Sequence, residues 1–173
     1  MALSTQPKLA SNGVIRILNG TSTLTCATDE GDFKSSGLGR RLNAPVRVSR
    51  RGRHMGTGYG ARRYPTVSLS EKVLSMTATA APGSIRDMVT GQGPYASDVG
   101  TLGTGNVYCV DIEYTATDST GATSDVLYFH DVDFNAYDFE EGEPSTFSLP
   151  GEVLGDVTLN GTTIAREIGA GGT

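Results

Sequence analysis

The sequence predicts a mainly β domain: an antiparallel β-sandwich or small barrel with one short flanking α-helix and a long extended loop. Three observations lead there. Apolar and polar residues alternate with period two in several stretches, most clearly in NVYCVDIEYTAT (106–117). Gly, Pro and Asn-Gly signals punctuate these stretches, and Gly alone supplies 23 of 173 residues. Only APGSIRDMVTGQG (81–93) carries helical spacing together with caps.

Taken in order, VIRIL (14–18) and TSTLTCAT (21–28) read as two strands joined at Asn19-Gly20, a dipeptide that favours hairpin turns. DEGDFKSSGLGRR reads as a loop. PVRVSRR (45–51) alternates and predicts a strand with Val46 and Val48 on one face; the Gly-rich RGRHMGTGYGARR predicts a loop or an extended hairpin tip. YPTVSLSEKVLSM (64–76) predicts a strand with Val67, Leu69 and Val73 on one face.

In 81–93, Ile85, Met88 and Val89 fall at i, i+3 and i+4; Ser84 can cap the start and Gly91 the end. GPYASDVGTLGTGN reads as loop. In 106–117, Tyr108, Val110, Ile112 and Tyr114 share one face, and Cys109, Asp111 and Glu113 the other. DVLYFHDVDFNAYDF (125–139) predicts a second long strand across a DSTGAT turn, with Tyr128, His130, Val132 and Phe134 opposite Phe129, Asp131 and Asp133. TFSLPG, EVLGDVTLNG and TTIAREIG read as short closing strands. The sum is roughly eight strands in a single domain over 1–173, with 1–13 and 169–173 as flexible ends.

Charge is distributed unevenly. Arg40–Arg63 holds eight of the fourteen Lys and Arg residues and no acid. From 87 to 165 there is no Lys or Arg but fourteen acids. Without 40–63 the chain would carry six basic residues against nineteen acids, a net charge of −13. A polyanion would meet repulsion from most of such a chain, so a nucleic-acid-binding arm is the weaker explanation. A second copy of the same chain offers the acidic partner that the basic segment needs, and such heterologous contacts build rings or filaments. Arg40, Arg41, Arg47, Arg50, Arg51, Arg53, Arg62 and Arg63 are therefore the expected inter-subunit residues.

The other functional readings are poorer. If 106–117 pairs with 125–139, Asp111, Glu113, Asp131 and Asp133 fall on one face. Four carboxylates could hold calcium or supply an acid and a base, but calcium loops place their acids in a tight turn rather than on strands. No GxSxG, HExxH or GxxxxGK[ST] occurs, so no catalytic residue, metal or cofactor is expected. His130, in mid-strand, reads as a packed or rim side chain. Cys26 and Cys109 form no CxxC and accompany no His/Cys cluster. MALSTQPKLASNG lacks an apolar core, and no apolar run reaches membrane-spanning length, so cytosolic synthesis with reduced thiols and no membrane partner is expected.

The order of elements resembles a known family. A strand pair precedes a long basic loop leading into "YPTVSLS"; "GSIRDMVTGQG" follows; then come two long strands and an end of the form "VDFNAYDFEEGEPSTFSLPGEVLGDVTLNG". This pattern, over most of 14–168, is similar to the tail tube (major tail) proteins of long-tailed bacteriophages. The resemblance implies a β-sandwich that forms hexameric rings, stacked head to tail around a channel for the genome in the virion tail. It implies other tail proteins as partners, assembly in the host cytoplasm, and no enzymatic activity. Arg40–Arg63 matches the family's loop that reaches over a neighbour. The 106–139 hairpin, with Asp111, Glu113, Asp131 and Asp133, matches the channel-lining sheet, where like charge keeps DNA from sticking as it passes. Two alternatives share the composition: a capsid decoration or head-tail connector protein, and a calcium- or carbohydrate-binding β-sandwich module.

Overall fold

The computed structural model describes residues 13–26, 33–38, 43–62, 64–72, 83–97, 107–117, 124–134 and 136–165. The expected flexible ends, Gly13 aside, lie outside these residues, as do the DSTGAT turn and Val73.

The main sheet is antiparallel. Its path runs β2 (Thr23–Cys26), β1 (Val14–Leu18), β7 (Val110–Thr117), β8 (Ser124–Asp133), β10 (Thr146–Val153), β6 (Thr66–Lys72), β3 (Phe33–Ser36). Three short strands attach to this path: β9 (Asp138–Glu140) to β10, β11 (Val157–Leu159) to β8, and β12 (Thr162–Ala165) to β11. The sheet curls without closing. Phe33, on the terminal strand β3, stacks on Tyr114 of β7 at 5.5 Å and meets Phe129 of β8 edge-on at 5.6 Å. Between these layers lies the core, with Ile17, Leu69, Ile112, Phe129, Leu149 and Val157 fully buried. This is the mainly β, sandwich-like fold that the alternation predicts.

Helix α1 spans Ile85–Thr90 as expected. The Ser84 hydroxyl accepts the Asp87 N–H at 3.1 Å, and Gly91 ends the helix at φ 61°. Ile85, Met88 and Val89 face the core. Arg86 and Asp87 are also buried, which helical spacing alone does not foretell. They pair at 2.9 Å, and the Arg86 guanidinium lies 5.1 Å from the Phe147 ring centre. Glu71, at the end of β6, accepts the N–H groups of Ile85 and Arg86 and so ties the helix start to the sheet.

Several expectations need correction. FKSS, read as loop, is strand β3, because β6 offers it a pairing edge from Thr66 to Leu69. The basic segment, expected as a long extended loop with a strand at 45–51 and a loop or extended hairpin tip after it, is a β-hairpin, β4 (Asn43–Arg50) and β5 (Arg53–Arg62), in a sheet of its own. Its turn is Arg51-Gly52, both at positive φ. The Gly-rich second arm has little intrinsic strand preference; the ladder with β4 supplies the regularity. The first hairpin is joined by Asn19–Ser22, not by Asn19-Gly20 alone, and the buried Asn19 carboxamide accepts the N–H groups of Thr21 and Ser22. Gly93–Tyr95, within an expected loop, forms a 3-10 turn.

TFSLPG and EV belong to one strand, β10. Pro150 falls between the part of β10 that pairs with β9 and the part that pairs with β8, so its missing N–H breaks no rung on that side. The second long strand stops at Asp133.

The largest correction concerns β8. Val110 pairs with Val132 but Ile112 pairs with Phe129, so His130 and Asp131 together oppose Asp111 alone. This is a β-bulge, with Asp131 at φ 51°. It turns both Phe129 and Val132 into the core, where strict alternation separates them. His130 accordingly shares a face with Tyr128, not with Val132 and Phe134. The segment after β10 follows the bulge: Leu154 donates to the Asp131 carbonyl at 2.9 Å, Gly155 to His130 at 3.1 Å, and His130 to Asp156 at 3.0 Å. A Cβ on Gly155 would stand 2.8 Å from the His130 carbonyl oxygen, so only glycine fits there.

Candidate inter-subunit surfaces

None of the hairpin's described side chains belongs to the buried core. Among the described residues β4 and β5 pair only with each other, and at ~3.3 Å per residue β5 extends for roughly 30 Å. An isolated two-stranded hairpin is at best marginally stable in water, because it buries too little to offset its ordering. Its tip is a patch of exposed charge and apolar surface: Arg50, Arg51 and Arg53 are exposed, as are Val48 and Met55. Arg50 and Arg53 stand directly opposite in the register, an unfavourable like-charge pair that an anionic partner would relieve. Arg47 and Arg62 lie on the ladder, opposite Thr57 and Asn43. Arg40, Arg41 and Arg63 lie outside the described residues.

The predicted acidic face divides. Asp111 and Glu113 point outward from β7, as alternation requires. Asp111 accepts the Tyr128 hydroxyl and the Asp131 N–H, each at 2.9 Å. Its separation from His130 Nδ1, 3.8 Å, is too long for a hydrogen bond. Glu113 instead pairs with Arg16 of β1 at 3.1 Å. Asp131 is the extra residue of the bulge, and Asp133 lies opposite Glu152 of β10. The carboxylates thus form a spread surface on which Asp111 and Glu113 have internal partners. Among the described residues, no group of three His, Cys, Asp or Glu side chains comes together to hold a metal ion.

Electrostatics agree with the geometry. The Cys109 thiol is pushed up to about 11, by burial first and then by the charges of Asp133, Asp131 and Asp111. Tyr128 is pushed up to about 12 by burial, by its hydrogen bond to Asp111, and by the charges of Asp111 and Glu113. Both groups stay protonated at neutral pH, so the face is a hydrogen-bonded anionic surface without an activated nucleophile. Cys26 and Cys109 are free thiols. Sequence reasoning missed Arg16, Tyr128 and His130 as members of this face. Arg16 was legible as a polar residue between Ile15 and Ile17; the other two depended on the bulge.

Among the described residues, no helix is long and apolar enough to cross a membrane. No protein-family model matches the chain, and no curated protein matches it. Solved structures do. A chain of the anti-feeding prophage cap, the tube terminating cap, superposes with a TM-score of 0.54 at 12% identity, covering 92% of this chain and 93% of its own. A chain of the sheath-tube complex of an extracellular contractile injection system, PVC, in the extended state gives 0.52 at 8% identity, over 91% and 98%. A chain of the six-fold symmetrised anti-feeding prophage baseplate gives 0.53 at 9%, over 91% and 97%. At these identities the likeness establishes that the chain has the fold of these tail-like assembly components along nearly its whole length.

Proposed function

We propose that the chain is a non-enzymatic structural subunit of a phage tail or phage-tail-like injection system. Its copies join into rings, six to a ring, and the rings stack head to tail into a tube. In a virion that tube is the conduit for DNA during ejection. The match over nine-tenths of both chains with components of tube, cap and baseplate structures carries this reading. The hairpin supports it independently: 43–62 holds five arginines and no acid, and among the described residues its strands pair with no other strand. The basic hairpin is the reaching arm. The acidic outer face, with Asp111 and Glu113, repels DNA and eases its passage. Other tail proteins are the remaining partners, and assembly takes place in the host cytoplasm.

Negative-stain microscopy of the purified chain at low salt tests this. Rings with a central hole, stacking into tubes that shorten as salt rises, are expected. Single rings that never stack would favour a tube-end cap, a variant suggested by the likeness to the prophage cap. A monodisperse monomer at high concentration would refute the proposal. Arg50→Glu with Arg51→Glu is expected to impair stacking while leaving the subunit folded, since both side chains are exposed.

A further inference from the structure

We propose that the tip of hairpin β4–β5 docks onto the β9 segment, residues 136–145, of a second copy of this chain. The inference rests on the self-assembly reading above and assigns the partner surface within it.

The two surfaces match in both apolarity and charge. Among the described residues, six large hydrophobic side chains are exposed. Two, Val48 and Met55, flank the hairpin tip at 52% and 62% exposure. Two others, Tyr137 and Phe139, sit at β9 at 43% and 48%. Each apolar pair has charge of one sign around it. The tip has Arg50, Arg51 and Arg53; residues 136–145 hold Asp138, Glu140, Glu141 and Glu143 and no base. Paired apolar contacts ringed by complementary charge are what a specific, oriented interface requires.

The β9 segment is also fixed and vacant. Tyr137 and Phe139 lean on the buried Phe147 at 5.6 Å and 5.5 Å, and Arg86 lies against that ring from α1, so the aromatic platform is anchored to the core. Among the described residues β9 pairs with β10 alone, and no other strand lies on its second edge. All four acids are exposed, and among the described residues none of their carboxylates forms an ion pair or hydrogen bond. The Asp111 face differs on that last point. Asp111 is occupied by Tyr128 and the Asp131 N–H, and Glu113 by Arg16, so docking there would break contacts already made. At β9 nothing is given up. Arginine suits the role, since its fork pairs bidentately with carboxylates and its plane stacks on aromatic rings.

The test is charge exchange. Sedimentation at low salt compares the wild-type chain, Arg50→Glu with Arg53→Glu, Glu140→Arg with Glu141→Arg, and all four substitutions together. Circular dichroism checks that each remains folded. Each double variant is expected to weaken self-association by at least about tenfold, and the four-fold variant to recover most of it, because only a direct contact is restored by reversing both sides. If Glu140→Arg with Glu141→Arg associates as tightly as the wild type, or the four-fold variant shows no recovery, the docking assignment is overturned while ring formation stands. If recovery occurs but microscopy shows no rings, the contact stands and the tube reading falls. A wild-type chain that never associates overturns both.

Discussion

Replacing Glu71 by alanine probes how the helix is held to the sheet. The Glu71 carboxylate accepts the N–H groups of Ile85 at 3.1 Å and Arg86 at 3.0 Å, two of the donors that a helix start leaves unpaired. A hydrogen bond to a charged group contributes about 1.5–3 kcal/mol net. Glu71 is partly exposed, so water can replace some of what is lost, and the lower end applies: about 2–3 kcal/mol for the pair. In a domain of this size each kcal/mol corresponds to a shift of roughly 2–4 °C, so Tm should fall by about 4–12 °C. Ser84→Ala removes only the side-chain cap and is expected to cost about 1 kcal/mol. Thermal melts at matched protein concentration and high salt, where self-association does not contribute, measure both. A loss at Glu71→Ala no larger than that at Ser84→Ala would refute the reasoning.

The same residue gives a pH signature. Burial raises Glu71 above its ordinary 4.5 despite the two N–H donors and Arg86. The folded state therefore holds this proton more tightly than the unfolded one. The contribution is full below the ordinary value and is lost as pH rises through the raised one. Relative to Glu71→Gln, which does not titrate, wild-type stability should decline as pH increases from about 4.5 and then level off. An opposite slope would reject the burial argument.

Two further outcomes follow from the packing. A Cβ on Gly151 would lie 2.8 Å from the Phe134 ring, so Gly151→Ala is expected to overpack the core and cost about 1–3 kcal/mol, read by urea denaturation; an unchanged midpoint would place Phe134 elsewhere. With Cys26 buried, Cys109 is the accessible thiol, and at about 11 only roughly one in a thousand is ionised at pH 8. Its alkylation should be slow there, accelerate steeply toward pH 11, and be faster in Asp133→Asn; rapid labelling at pH 8 would contradict the acidic surroundings.

Much of this was legible in the sequence. The cap residues Ser84 and Gly91 bracket α1 because capping is settled within one helical turn. The faces of β7 follow from its unbroken alternation, Val110 and Ile112 inward, Asp111 and Glu113 outward. The charge asymmetry needed only the order of residues. The bulge at His130–Asp131 was not legible, because a two-against-one pairing shows itself only when a second strand is laid alongside. Nor was the engagement of Glu113 by Arg16, which lies 97 residues away.

The sequence by itself determined the β class, helix α1 and the separation of charge into a basic and an acidic part. Those properties are local, set by side-chain period, backbone sterics and composition. Only the tertiary structure decided that the Gly-rich arm is a strand, that Arg86 and Asp87 are buried, and which carboxylates are left without partners. Pairing and burial depend on which distant segments meet, and an acid is vacant or engaged according to what the folded sheet sets beside it.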